Sequence, residues 1–283
     1  MIKKGDTIGI IALAGDCEKD KIELAKKNLE QLGYKVVLSK NIQNKKMYLA
    51  GDDNIKIEEL HRFFNDPEVK LILNARGGYG SLRLINKINY EIIKNNPKPF
   101  CGFSDITALL LMFYKKCGLK TFHGPMACSD FAQINMNKNT LISFFDVINS
   151  NFKEVEATKI INKGEAEGIL WGGNLATVVS LCGQDFIPDE SFIFFAEDIN
   201  EPVYKIDKMF TQLFNIEKFK TNCKGIVLGE FLNTDNENWL EDFFKSFTLP
   251  MIKCDKITHS IEKLTLPIGE NVLIKNGIII IKK

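Results

Sequence analysis

The chain has 283 residues, a length that suggests about two domains and also allows one large α/β domain. Hydrophobic residues make up 45% and charged residues 26%, which excludes a disordered, collagenous or coiled-coil chain and leaves ample material for a core. Thirty-seven basic residues against 36 acidic ones give a formal charge of +1, so neither a nucleic-acid nor a membrane partner is expected.

In chain order, Lys3 and Lys4 precede the apolar run Ile8 to Ala14. The run is short for a signal core and Asp6 interrupts its approach, so a buried first β-strand over Thr7 to Leu13 is the better reading. A helix follows, with apolar Ile22, Ala25, Leu29 and Leu32, and Gly33 stands where a helix C-terminal glycine belongs. Strands are predicted at Tyr34 to Leu38, Val69 to Asn74, Phe100 to Phe103 and Thr121 to Phe122. Between them lie a helix over Asp52 to Phe64 and the apolar stretch Ile106 to Tyr114. This alternation predicts an open, mostly parallel sheet flanked by helices, with ligands at the carboxyl ends of its strands.

From Asn149 to Lys163 the pattern loosens, giving an N-terminal α/β domain over 1–149, a linker over 150–164 and a smaller C-terminal domain over 165–283. That second domain reads as α+β and rich in strands. Its strands are expected at Phe192 to Phe195, Ile226 to Leu228, Val272 to Ile274 and Ile278 to Ile281, with helices at Tyr204 to Ile216 and Glu237 to Phe247. No apolar run approaches the ~18 residues a membrane helix needs. The seven cysteines are odd in number and contain no Cys-x-x-Cys pair. Free thiols in a reducing cytoplasm fit that pattern better than disulfides or a zinc ribbon.

Two constellations could carry chemistry. Arg76-Gly77-Gly78-Tyr79-Gly80 follows an apolar strand and would let backbone N–H groups approach a ligand closely, but it lacks the spacing of a phosphate loop. Gly102-Phe103-Ser104-Asp105-Ile106-Thr107 lies between a strand and an apolar helix, where a nucleophile elbow would sit. Ser104 serves there equally as a helix N-cap, with Asp105 favourable to the helix dipole. A serine nucleophile needs a base, and the chain has three histidines. His61 reads as a surface residue, whereas His123 at a strand end and His259 in a loop both qualify. Glu197, which ends the apolar strand from Phe192, is a candidate orienting acid.

Taken together, Arg76 to Gly80, Asn96 to Thr107, Thr121 to Met126, Gly168 to Leu175, Glu197-Asp198 with Glu201-Pro202, and Leu266 to Gly269 resemble the LD-carboxypeptidase family. These are serine peptidases that include muramoyltetrapeptide carboxypeptidases and microcin C immunity peptidases. The resemblance runs nearly the whole chain and implies a Ser104–Glu197–His259 triad, with His123 in a supporting role. It implies hydrolysis of the L-D bond that releases terminal D-alanine from muropeptide tetrapeptides, without metal or cofactor, by a cytoplasmic homodimer active in peptidoglycan recycling. Backbone N–H groups of Gly78 and Asp105 would hold the oxyanion, Arg76 would grip the terminal carboxylate, and Trp171 and Asn174 would line the cleft. The chain departs from the family at Thr258 and Ser260, where relatives commonly flank the histidine with glycines. Two alternatives remain, a peptidase acting on a peptide-nucleotide antibiotic and a non-catalytic ligand-binding relative.

Overall fold

The structure, a computed structural model, describes residues 1–151 and 154–282. The N-terminal lobe runs β1 (Thr7–Ile11), α1 (Lys19–Gln31), β2 (Lys35–Leu38), α2 (Asp53–Asn65), β3 (Val69–Asn74), α3 (Tyr90–Asn95), β4 (Phe100–Gly102), α4 (Thr107–Cys117), β5 (Thr121–His123) and α5 (Lys138–Ile148). Its five strands are parallel in the order β2-β1-β3-β4-β5. Strands buried on both faces carry near-continuous apolar runs, and in β3 Leu71, Ile72 and Leu73 are fully buried while Lys70 stays exposed. Leu71 and Leu73 share a core with Ile22 and Leu29 of α1 and Phe144 of α5, while Ile72 packs with Phe63 of α2, Ile93 of α3 and Leu109 of α4.

The second lobe comprises β6 (Glu154–Glu156), β7 (Lys159–Asn162), β8 (Ala166–Asn174), α6 (Leu175–Ser180), β9 (Phe192–Ile199), α7 (Val203–Phe214), α8 (Glu217–Asn222), β10 (Cys223–Leu232), α9 (Glu237–Lys245), β11 (Met251–Lys253), β12 (Leu266–Ile268), β13 (Asn271–Lys275) and β14 (Ile278–Ile281). Eight of these strands form one sheet, β6-β14-β13-β8-β9-β10-β11-β7, with β8 to β11 parallel and the flanking strands antiparallel. The two-lobed α/β architecture is therefore the expected one.

The domain boundaries need correction. The stretch expected to be a linker, 150–164, supplies β6 and β7 at opposite edges of the second sheet. The last part of the chain is not confined to its own lobe either, because β12 returns to the first sheet and pairs antiparallel with β5, Leu266 opposite His123. Pro267 fits there because an edge strand can forgo one backbone donor. The irregular segment 254–265 therefore crosses from β11 of one sheet to β12 of the other. Several predicted strands are also longer than their apolar cores suggest, β9 and β10 most of all.

Candidate active site

In the first lobe, the strand order reverses between β1 and β3, and the crevice beyond their carboxyl ends is where such sheets bind ligands. Two loops close it. The Gly15 N–H donates to the Gly77 carbonyl (3.0 Å), and the Arg76 guanidinium donates to the Asp16 carbonyl (2.8 Å). Arg76 is exposed, and among the described residues its guanidinium makes no other hydrogen bond, which leaves donors to meet an anion.

Ser104 lies beyond the end of β4 with φ = 60°, left-handed backbone that is costly for a side-chain-bearing residue. The N-cap alternative does not describe it: the residue preceding α4 is Ile106, and no side chain caps that terminus. The turn is fixed by its neighbour. Asp105 is buried, its carboxylate accepts the Ser81 N–H (2.8 Å), and its carbonyl accepts the Ser81 hydroxyl. Burial raises the Asp105 carboxyl above its usual range. Asp53, held at about 2 by Arg83 and Lys87 against the opposing effect of burial, grips the other end of the 81–83 turn. The glycine loop and the serine elbow are thus tied together. They also touch: a Cβ on Gly77 would lie 3.0 Å from Ser104 Oγ and 2.9 Å from its Cβ, so only glycine fits there.

The second lobe supplies the other groups. Glu197, near the end of β9, is fully buried, and one of its oxygens is hydrogen-bonded to Nδ1 of His259. The other oxygen has no partner among the described residues. His259 rides on the crossing segment and packs edge-on against Phe103, the residue before Ser104, with centroids 5.0 Å apart. Lys263 caps the same Phe103 ring at 4.2 Å and pairs with Asp130 at 2.6 Å, a buried cation–π and ion-pair cluster not foreseen from sequence. Among the described residues no hydrogen bond joins Ser104 to His259; in unliganded enzymes catalytic hydrogen bonds are often long and tighten on substrate binding.

The remaining expected residues divide. Asn174 caps α6, accepting the Thr177 N–H (3.1 Å), and its side chain donates to Asp198 (2.8 Å). Its own N–H donates to Thr107 of α4 (3.2 Å), so it links the two lobes beside the elbow. Asp198, pushed up to about 6 by burial, also accepts the N–H groups of Ala176 and Ile199. Trp171 is a correction. It is fully buried among Phe186, Phe192, Phe194 and Phe219 and lines no cleft. Gly78 is exposed on the loop, whereas Gly77 meets the serine. His61 accepts the Asn89 N–H from half-buried surroundings.

His123 is buried between Phe103 and Phe195, and its Nδ1 has no partner among the described residues. Burial pulls its imidazole from the ordinary 6.5 down to about 4. The unfolded chain therefore takes up the proton first. Stability is intact above about pH 6.5 and falls as pH drops toward about 4, by about 3 kcal/mol at about 1.4 kcal/mol per pH unit. His123→Gln removes this loss. Urea titrations of both proteins near about pH 7 and about pH 4 should show the variant gaining relative stability on acidification.

Comparisons with known proteins agree with this two-lobed arrangement. Residues 8–124 match the LD-carboxypeptidase N-terminal domain and residues 167–274 the LD-carboxypeptidase C-terminal domain. The chain is 36% identical to the probable murein peptide carboxypeptidase of Bacillus subtilis, over 95% of its own length and 88% of the relative's. The crystal structure of muramoyltetrapeptide carboxypeptidase from Oxalobacter formigenes superposes with a TM-score of 0.89 at 27% identity, covering 97% of both chains. A MccF-like protein from Bacillus anthracis superposes at 0.90, also at 27% identity, covering 99% of this chain and 98% of that one. The fold and the motifs define a two-lobed α/β peptidase. The chain belongs to the LD-carboxypeptidase family. Among the described residues no helix is long and apolar enough to cross a membrane.

Proposed function

We propose that this chain is a serine carboxypeptidase that releases terminal D-alanine from muropeptide tetrapeptides, cleaving the L-D bond to leave a tripeptide. The observation that carries the reading is the hydrogen bond between His259 Nδ1 and the fully buried Glu197. A carboxylate on Nδ1 fixes the proton there and leaves Nε2 as the basic nitrogen, the tautomer a serine nucleophile requires. His259 takes the Ser104 proton as Oγ attacks the scissile carbonyl, and the backbone N–H groups of Asp105 and Gly78 receive the oxyanion. When the intermediate collapses, His259 returns the proton to the departing D-alanine amine. Water then attacks the acyl-enzyme by the same route in reverse order. Arg76 meets the substrate's terminal carboxylate bidentately, and Asn174 contributes its second amide N–H at the lobe boundary.

The family's chemistry and the murein peptide carboxypeptidase relative support this substrate over a peptide-nucleotide one. We place the activity in cytoplasmic peptidoglycan recycling, carried out by a homodimer. The test is to incubate the protein with a muropeptide tetrapeptide and follow free D-alanine. Equimolar tripeptide and D-alanine are expected. Cleavage of an aminoacyl-nucleotide phosphoramidate with no D-alanine release would favour the peptide-nucleotide alternative. Binding without turnover of either would leave a ligand-binding protein.

A further inference from the structure

The residues on either side of His259 are not passive. Thr258, buried, donates its hydroxyl to Glu230 Oε2 at 2.5 Å, and the Ser260 hydroxyl reaches the same oxygen at 3.4 Å. The Ser260 N–H donates to Thr258 Oγ1 at 2.9 Å, so the two hydroxyl residues are also tied to each other. From the other end, the Glu230 N–H donates to the Ile257 carbonyl at 2.8 Å. One residue of β10 thus holds 257, 258 and 260 and leaves only the imidazole of 259 projecting.

The neighbouring geometry makes the arrangement specific. Gly229 precedes Glu230, and a Cβ there would lie 2.4 Å from the Ile257 carbonyl oxygen and 2.8 Å from Glu197 Cβ. The histidine segment, the orienting acid and β10 can therefore approach only because Gly229 has no side chain. Glu230 also lines a cavity of about 480 Å³, together with Leu232, Lys253 and Asp255. An irregular crossing segment has no strand ladder to hold it, so its conformation depends on side-chain bonds of this kind.

We propose that Glu230 is a positioning residue for the general base: its carboxylate, bridging Thr258 and Ser260, sets the backbone so that His259 keeps Nδ1 on Glu197 while Nε2 faces Ser104. The inference rests on His259 acting as the base. It also supplies a physical role for the polar residues that stand beside the histidine in this chain.

The test compares steady-state kinetics on a D-alanine-terminated tetrapeptide for the wild type, Glu230→Ala, Glu230→Gln, Thr258→Val and the double variant Glu230→Ala/Thr258→Val. Misplacing a catalytic group by about an ångström costs on the order of 100-fold. Glu230→Ala should therefore lower kcat by about 10- to 100-fold, with KM nearly unchanged. Glu230→Gln keeps an acceptor oxygen for both hydroxyls and should recover most of the rate. Thr258→Val should resemble Glu230→Ala, and the double variant should be no worse than either single one, because all three cut the same link. In parallel, the side-chain NMR resonances of 15N-labelled His259 should show a hydrogen-bonded Nδ1 proton in the wild type that broadens or disappears in Glu230→Ala.

If Glu230→Ala retains wild-type kcat, or if its rate per titrated active serine is unchanged while folded protein is lost, the positioning role is overturned. The same holds if the His259 resonances are indifferent to the substitution. If the wild type itself releases no D-alanine, the peptidase reading fails instead, and the resonances still decide whether Glu230 orders the imidazole.

Discussion

Replacing Ser104 with alanine is expected to reduce D-alanine release by about 10⁴-fold or more, as loss of the nucleophile does in serine peptidases. The thermal midpoint should stay in place, because alanine keeps the same backbone and the elbow is anchored by Asp105 and Ser81 rather than by the serine side chain. Ser104→Gly sharpens the test. At φ = 60° a side chain costs about 1 kcal/mol or more, which glycine avoids at some entropic expense. The glycine variant should thus be equally inactive and as stable as the wild type or slightly more so. Strain relieved on loss of activity is the signature of a conformation kept for chemistry rather than for folding. Retained turnover in the alanine variant would remove Ser104 as the nucleophile.

The second large effect is expected at Glu197. Glu197→Gln preserves volume but removes the charge that holds the Nδ1 proton, and the corresponding loss in a serine triad is about 10⁴-fold in kcat. Stability should not suffer in proportion. Glu197 is fully buried with one oxygen unpartnered among the described residues, so the neutral amide relieves a desolvated charge. A steep fall in kcat with an unchanged or raised unfolding midpoint is the expected result, read from matched kinetics and thermal melts. His259→Ala should be as inactive, whereas His123→Ala should retain measurable turnover. Inactivity of a folded His123→Ala variant with an active His259→Ala would reverse the assignment of the base.

Much of this was legible in the sequence because the signals were local. An apolar strand followed by a loop with three glycines, a serine at a strand-to-helix turn and a carboxylate at a strand end are each one-segment patterns, and they lie where the alternation of elements placed them. The choice between His123 and His259 was not local, since it depends on which imidazole meets Glu197 across the lobes. Trp171 was misjudged for a similar reason. Its motif borders Asn174, but four phenylalanines from distant segments enclose the indole. The edge strands β6 and β7 read as linker because short, half-exposed strands carry little hydrophobic pattern. Glu230, Lys263 and Asp130 gave no signal. Each is an isolated charged residue whose partner comes from another element.

The return of β12 to the first sheet has a consequence for how this protein is made. The edge of β5 stays uncovered until residues 266–268 have been made and folded back, and an open edge invites pairing with other chains. A fragment ending after the first lobe would lack that covering strand and should self-associate when expressed alone. The same stitch follows directly on the segment that brings His259 to Glu197, so that pair too closes only once both lobes have been made.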